Sequence, residues 1–337
     1  MAKIAINGLG RIGRAALKVI LDTPGFDLVA VNDIGAVENM AYLLKYDTVY
    51  GKYEREVGAA GNDLVIDGKP IRYLSERDPA ALPWGDIGID IVFECTGLFT
   101  KQEDAGKHLK AGAKFVIISG PTSSADVPTI VHGVNTADGD VRIISCASCT
   151  TNNITPVVEI MSRRIGVKKA IMTTVHAYTA TQMLVDSPGG KKDMRRGRAA
   201  AANLVPSSTG AAVATTKALP ELEGRFDGVA VRVPVAVGSI ADIVFVTERA
   251  TTVDELAAVF REEADTDRYR GILGVTDEPI VSSDIIKDAR ASIVSLDLIQ
   301  VVDGDLVKIM SWYDNEWGYT NQMVKQAQAV LENLQMA

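Results

Sequence analysis

At 337 residues the chain is long for one hydrophobic core and predicts two domains. An apolar fraction of 47% reads as a globular protein, and a net charge of −8 offers no global field for nucleic acid or an anionic membrane. Three cysteines make no disulfide framework and fit a reducing cytoplasm. A strand pattern from residue 3 leaves no room for a signal peptide, and no apolar run reaches the ~18 residues of a membrane span.

Lys3 to Asn7 predicts a short strand, followed at once by Gly8-Leu9-Gly10-Arg11-Ile12-Gly13 and a helix-spaced run from Ala15 to Leu21. This is G-x-G-x-x-G in the setting that gives it meaning. Gly8 permits the tight turn, Gly10 lets a pyrophosphate approach the backbone, and Gly13 lets helix and strand pack closely. The phosphates would rest on the helix N-terminus. Asp33 ends the next strand, Asp27 to Asn32, where a carboxylate accepts from ribose hydroxyls and repels a 2′-phosphate. Dinucleotide binding, with NAD preferred over NADP, is the expectation.

The order continues as strand and helix in turn. Met40 to Lys45 reads as helix, and Asp63 to Pro70 as a small hairpin. Asp90 to Gly97 is a buried strand ending in a turn, Asp104 to Gly112 a helix, and Lys114 to Ser119 another buried strand. Thr129 to Val134 and the run up to Ser145 complete the set. Near-continuous apolar strands between helices predict a doubly wound parallel sheet. Thr96, Gly97 and Ser119, at strand ends, would line the crevice. Cys95 reads as core, His132 as a structural hydrogen-bonding residue and His108 as solvated on an outer helix.

Ser145 to Thr155 joins an apolar strand to a helical pattern and carries Cys149 among small hydroxyl residues and asparagines. A thiol at such a junction meets free N–H groups and the positive helix end, both of which favour its thiolate. Two plainer readings stand beside that one. Cysteine is often inert core, and Cys146-x-x-Cys149 has the spacing of a redox or metal pair. A second C-x-x-C or a histidine cluster to complete a zinc site is missing from the sequence.

Beyond Cys149 the texture changes. Lys168 to Tyr178 predicts a longer strand with His176 near its end. Beside a reactive cysteine, His176 becomes a candidate general base. Residues 177 to 207 show little periodicity and hold Thr179, Thr181 and a basic cluster of Lys191, Lys192, Arg195, Arg196 and Arg198. A loop that long is usually functional or lies at a subunit interface. Ser207 to Gly210 would cap a helix over Ala211 to Leu219. Strands at Val229 to Val235, Ile240 to Val246, Ser292 to Ser295 and Leu306 to Trp312, with a helix at Thr252 to Asp265, predict a mostly antiparallel α+β domain. Residues 316 to 335 form a last amphipathic helix, long enough to return to the first domain.

Several motifs, in order over nearly the whole chain, resemble phosphorylating glyceraldehyde-3-phosphate dehydrogenases. They are Ile6 to Arg14, Asn32-Asp33, Glu94 to Gly97, Ser148 to Asn152, His176 to Thr179, Arg198-Ala199-Ala200-Ala201, Thr209 to Ala212, Arg232-Val233-Pro234 and Trp312 to Tyr319. The resemblance implies an α/β architecture: a Rossmann-type NAD-binding domain over 1–148, completed by the helix 316–337, and a catalytic domain over 149–315. It implies NAD-dependent oxidation of glyceraldehyde 3-phosphate to 1,3-bisphosphoglycerate, through a thiohemiacetal and a thioester on Cys149, with His176 as base. Thr179, Thr181 and Arg232 would bind the substrate phosphate; Ser148, Thr150, Arg196, Thr209 and Gly210 would hold inorganic phosphate. Gly8, Gly10, Arg11, Ile12, Gly13, Asp33, Arg77, Thr96, Gly97, Ser119 and Asn315 would contact the dinucleotide, Asn315 at the nicotinamide amide. No metal, nucleic acid or membrane is expected, and a cytoplasmic homotetramer is.

The same chemistry on erythrose 4-phosphate and a silent Cys146/Cys149 redox sensor are the alternatives. The chain also departs from the family pattern. Asn153 stands where a second cysteine is usual, Ala177 replaces a common serine, and Val235 to Ser239 replaces a common Thr-Pro-Asn-Val-Ser.

Overall fold

The computed structural model describes residues 1–137, 139–189 and 193–336. Gly190, Lys191 and Lys192 of the basic loop lie outside the described residues. The chain divides into two compact units: Met1–Ile130 with Thr136–Ala147 and Met323–Ala337, and Val131–Asn135 with Ser148–Gln322.

The first unit is built on an eight-stranded sheet. From one edge its strands are Ile143–Ser145, Phe115–Ile118, Ile91–Glu94, Ala2–Asn7, Phe26–Asn32, Lys69–Leu74, Asp63–Ile66 and Val57–Ala60. The first six run parallel, and the last two add an antiparallel edge. Ile91–Glu94 and Phe115–Ile118 are buried at every residue, which is why their sequences are apolar runs rather than alternations. Trp84, Leu82, Val92 and Ala113 pack one apolar cluster; Ala105, Val116, Ile118 and Ile143 pack another.

Three expectations for this unit are corrected. Thr129 to Val134 forms no strand; Thr129 makes one isolated bridge to Ser145. Cys95 lies one residue past its strand and is half-buried, not core. His108, on the helix Gln102–Lys110, is fully buried rather than solvated. The Trp84 indole donates to its Nδ1 at 3.0 Å, and its Nε2 lies 3.0 Å from the Glu94 carboxylate. An indole N–H only donates, so Nδ1 accepts and Nε2 carries the proton toward Glu94. Polarity marks His108 as a surface residue, whereas partners from two other segments make its burial affordable.

The second unit holds a seven-stranded sheet in the order Val205–Ser208, Phe226–Val233, Val167–Ala177, Ser239–Thr247, Leu306–Tyr313, Ser292–Val302, Leu273–Thr276. Four neighbouring pairs are antiparallel, and two are parallel. Val205–Ser208 and Leu273–Thr276 were not expected; both are four-residue edge strands with too few apolar residues to show a period. The helix Cys149–Arg164 supplies Ile154, Val157, Val158, Ile160 and Met161 to a core shared with Ile243, Phe245, Phe260 and Ile309. Among the described residues no helix is long and apolar enough to cross a membrane.

Candidate active site

The glycine turn behaves as its spacing demands. A Cβ on Gly8, where φ is +95°, would stand 2.8 Å from the Thr96 nitrogen, and one on Gly13 would lie 1.9 Å from the Gly8 carbonyl oxygen. Those two glycines are required by the chain itself. Gly10 has nothing within 4 Å of its Cβ position, so the room it leaves faces outward. Gly10 is also the N-cap of Arg11–Leu21 and offers no side chain to the first-turn N–H groups. Uncapped donors beneath an open glycine are what a pyrophosphate needs. Asp33 accepts from the Leu9 N–H at 2.7 Å and the Gly35 N–H at 2.9 Å, so it braces the turn as well as facing the cleft.

A cleft of about 340 Å³ is lined by Gly8, Gly10, Asp33, Arg77, Thr96 and Phe99, with Cys95 at its wall. Gly97 follows Thr96 with φ +72°. Burial pushes the Cys95 thiol well up, and the neighbouring Ser119 hydroxyl pulls it partly back. Arg11 lies elsewhere in its interactions: its guanidinium pairs with Asp47 at 2.5 Å and stacks on Tyr50, leaving its backbone for the helix end. Beneath the cleft, Asn7 donates to Glu94 at 2.6 Å, Asn32 donates to Asn7 at 2.7 Å, and the Thr96 N–H donates to Glu94 at 2.8 Å.

In the second unit, Cys149 opens its helix behind Ser148, whose hydroxyl accepts from the Thr151 N–H at 3.0 Å. The neighbouring polar residues, read from sequence as donors around the thiol, are largely spent on fixing that helix. Thr150 bonds the Tyr313 hydroxyl at 2.9 Å. Asn153 donates to Ser311 Oγ at 2.8 Å and to the carbonyls of Trp312 at 3.1 Å and Ala291 at 3.3 Å. Asn153 therefore uses the place of the usual second cysteine to tie the helix to the sheet.

Cys149 Sγ and His176 Nε2 are 3.3 Å apart. His176 Nδ1 lies 2.6 Å from the carbonyl oxygen of Ala177. Arg232 Nη1 donates to the same carbonyl at 3.0 Å and stands 2.6 Å from Nδ1. A carbonyl only accepts and a guanidinium only donates, so the two contacts at Nδ1 favour opposite tautomers of the ring. The Tyr313 ring meets the imidazole edge-on at 5.9 Å.

The charge state differs from the thiolate expectation. Burial pushes the Cys149 thiol up, while Arg232, the N–H groups of Thr150 and Cys149 and the Thr150 hydroxyl pull it partly back. Burial, and then the Arg232 charge, push His176 down to about 3. Burial thus works against both charged forms, thiolate and imidazolium, and Arg232 is the cation that favours the thiolate. No carboxylate offsets Arg232 among the described residues, and its Nε is buried without a partner. A half-buried guanidinium with unspent donors is an anion site.

The loop folds back on itself: Ser187 N–H donates to Gly197 O at 2.9 Å, and a Cβ on Gly197 would stand 2.2 Å from Ser187 O. That closure carries Arg196 toward the threonines. Thr179 and Thr181 hydroxyls are 3.0 Å apart, and Arg196 donates to Thr181 at 3.3 Å and to the Ser208 carbonyl at 3.5 Å. Arg195 and Arg196 both pair with Asp193 and Arg198 pairs with Asp186, and Arg196 also reaches Thr181. Thr209 accepts from the Ala211 N–H at 3.2 Å, and Gly210 is the N-cap of Ala211–Ala218. Among the described residues no three His, Cys, Asp or Glu side chains form a metal site.

The sequence matches the Glyceraldehyde 3-phosphate dehydrogenase NAD binding domain over residues 2–102 and the C-terminal domain of the same enzyme over 148–315. The chain belongs to the glyceraldehyde 3-phosphate dehydrogenase family. It is 46% identical over 336 residues to the glyceraldehyde-3-phosphate dehydrogenase of Zymomonas mobilis, covering 98% of this chain and 99% of the relative. Identity to the Streptomyces coelicolor enzyme is 48%, covering 96% of each chain. Identity to glyceraldehyde-3-phosphate dehydrogenase 1 of Bacillus subtilis is 47%, again covering 96% of each.

Within this family member, two buried side chains at the Cys149–His176 centre were given no role by the sequence. Tyr313 bridges Thr150 and Thr174, at 2.9 Å and 2.8 Å. Ser239 joins Ala177 to Asn315. Both sit in apolar strand patterns, where a lone hydroxyl gives no periodic signal.

Proposed function

We propose that Cys149 is the nucleophile and His176 the general base of an NAD-dependent, phosphorylating oxidation of glyceraldehyde 3-phosphate. The observation that carries the reading is Sγ at 3.3 Å from an Nε2 whose ring is oriented by the Ala177 carbonyl, with an uncompensated Arg232 alongside. NAD is the cofactor of this family member, and when bound it accepts the hydride removed from the substrate carbon. Gly8, Gly10, Gly13, the N–H groups of Arg11 and Ile12, Asp33, Arg77, Thr96, Gly97 and Ser119 would hold its adenosine and phosphates, and Asn315 its carboxamide.

The thiol proton passes to His176 Nε2 as Sγ attacks the aldehyde carbon, a transfer that Arg232 assists by favouring the anionic sulfur. The imidazolium protonates the new oxyanion, with the Cys149 N–H as a second donor, to give the thiohemiacetal. His176 takes that hydroxyl proton back as the hydride leaves, and the carbon becomes a thioester. Inorganic phosphate, held by Ser148, Thr150, Arg196, Thr209 and Gly210, attacks the acyl carbon and expels the thiolate, leaving an acyl phosphate. Thr179, Thr181 and Arg232 anchor the substrate's own phosphate throughout.

The unit Ser148–Gln322 supplies the acyl chemistry in this reading, and the unit beginning at Met1 supplies dinucleotide binding. Ile171, Val229, Val302 and Leu306 leave an exposed apolar area on the second unit's sheet, and Leu184, Met194 and Leu204 do so on the loop. These surfaces support a homotetramer, and the composition supports a cytoplasmic setting without membrane or nucleic-acid partners.

The test is NADH formation from glyceraldehyde 3-phosphate with and without inorganic phosphate. A burst of one equivalent per subunit without phosphate, followed by turnover only when phosphate is added, is expected. Cys149→Ser should lose both phases by at least about 10⁴-fold, since the serine hydroxyl is scarcely ionised at neutral pH. Sustained phosphate-independent turnover, or a burst in Cys149→Ser, would overturn the assignment.

A further inference from the structure

Ser239, which begins the strand Ser239–Thr247 and is buried, makes two bonds of opposite sense. Its Oγ accepts from the Ala177 N–H at 3.1 Å and donates to Asn315 Oδ1 at 3.0 Å. Ala177 follows the base in sequence, and its carbonyl is the group that orients His176 Nδ1. One hydroxyl therefore touches both the peptide that aims the imidazole and the side chain that would receive the nicotinamide amide.

The polarity of these bonds decides what Asn315 can offer. The Gly238 N–H also donates to Oδ1, at 3.1 Å, so the amide oxygen is occupied by two donors. An amide flip would put an NH₂ group against two donors, which is unfavourable in a buried site. Asn315 thus presents only its Nδ2 hydrogens outward, and no partner takes them among the described residues. Its ligand must present an acceptor, as a carboxamide oxygen does.

We propose that Ser239 is a positioning residue that sets the rotamer and polarity of Asn315 and, through the Ala177 peptide, the aim of His176. It thereby fixes which face of the nicotinamide receives hydride. The inference rests on the reading of Asn315 as the carboxamide contact. Val235 to Gly238 departs from the common family sequence immediately before Ser239, yet Gly238 keeps φ +89°, with its Cβ position 2.4 Å from Ser282 O. That turn is what delivers the Gly238 N–H and the Ser239 hydroxyl to the same oxygen.

Ser239→Ala removes the donor to Oδ1 and the acceptor for Ala177 N–H while adding no bulk. We expect KM for NAD to rise about tenfold and kcat to fall about tenfold, because small misplacements at a reacting centre are costly. With substrate deuterated on its aldehyde carbon, we expect wrong-face label at C4 of the NADH to climb above roughly one part in a hundred, a loss of orientation that simple destabilisation does not produce. Ser239→Thr, which retains the hydroxyl, should restore fidelity. If that variant fails to fold, a double-mutant cycle decides, because Asn315→Ala should add little to Ser239→Ala if the serine acts through Asn315. Unchanged fidelity, or fully additive effects on KM for NAD, would overturn the proposal. An Asn315→Ala variant with unaltered KM for NAD would instead overturn the Asn315 reading, and the proposal with it.

Discussion

His176 is a basic residue kept uncharged. Burial and the neighbouring Arg232 push it down to about 3, so at neutral pH it is a lone-pair donor ready to take a proton. The same shift has a cost in acid. The unfolded chain takes up a proton as pH falls below ~6.5, whereas folded His176 resists until about 3, so stability is lost through that window. Wild type should lose about 1.4 kcal/mol per pH unit more than His176→Gln between pH ~6 and ~4.5. Denaturant titrations of both proteins across that range check this; parallel curves would mean that the folded imidazole titrates normally. Arg232 acts in the opposite sense on Cys149, opposing the upward push of burial. Arg232→Gln should therefore slow alkylation of Cys149 at pH ~7, by about tenfold for each pKa unit gained. An unchanged rate of iodoacetamide labelling would remove Arg232 from the thiol's environment.

At the scale of the element, the helix Cys149–Arg164 is an uncommon case: every residue from Thr150 to Met161 is buried, including five polar ones at its start. Burial of that many polar residues is tolerable because each makes at least one side-chain hydrogen bond, although Asn153 Oδ1 is buried without a partner. Ser148 caps the first turn, Thr155 bonds Thr151 O at 2.6 Å, and Asn153 binds three groups outside the helix. Pro156 lacks the N–H that would close onto Asn152, and this weak point in the ladder lies one turn beyond those anchors. Fixing the helix from outside is thus a condition for a fixed thiol. Asn153→Ala should cost about 2–3 kcal/mol by taking the amide donor from two carbonyls and from Ser311 Oγ, which keeps only Ser292, lowering Tm by roughly 5–10 °C. Scanning calorimetry gives the answer, and a shift under about 1 °C would show that the three bonds contribute nothing.

At the scale of the whole molecule, the two units solve the same problem with different sheets. The parallel sheet is covered by helices and ends in the cleft; the mostly antiparallel sheet carries His176, Arg232, Ser239 and Tyr313 on adjacent strands. His176 and Arg232 are direct register partners on the parallel pair, which is how residues 56 positions apart come within hydrogen-bond distance. In the first unit the Trp84–His108–Glu94 chain links an outer helix to the floor of the cleft, and Glu94 in turn holds Thr96. His108→Ala should cost about 2–4 kcal/mol, because it opens a cavity and leaves the Trp84 indole N–H unpaired. It should also weaken NAD binding, which fluorescence titration of the folded variant would reveal; unchanged affinity would confine the chain to a stability role.

The sequence by itself determined the elements whose signal is local. The glycine turn, Asp33, the apolar parallel strands and the Cys149 junction are legible because a tight turn, a buried strand and a helix start each impose residue types on neighbours in the chain. The order of the motifs was enough to carry the family. Tertiary structure decided what depends on long-range pairing. His108 became core through Trp84 and Glu94, the hydroxyls around Cys149 turned out to brace its helix, and the folding back of the loop brought Arg196 to Thr181. Ser239 and Tyr313 were silent for the same reason: their hydroxyls' partners lie between 62 and 163 residues away, and no periodicity records them. Charge state belongs wholly to this second class, since burial pushes the Cys149 thiol up and the His176 imidazole down, while Arg232 favours the thiolate and opposes the imidazolium.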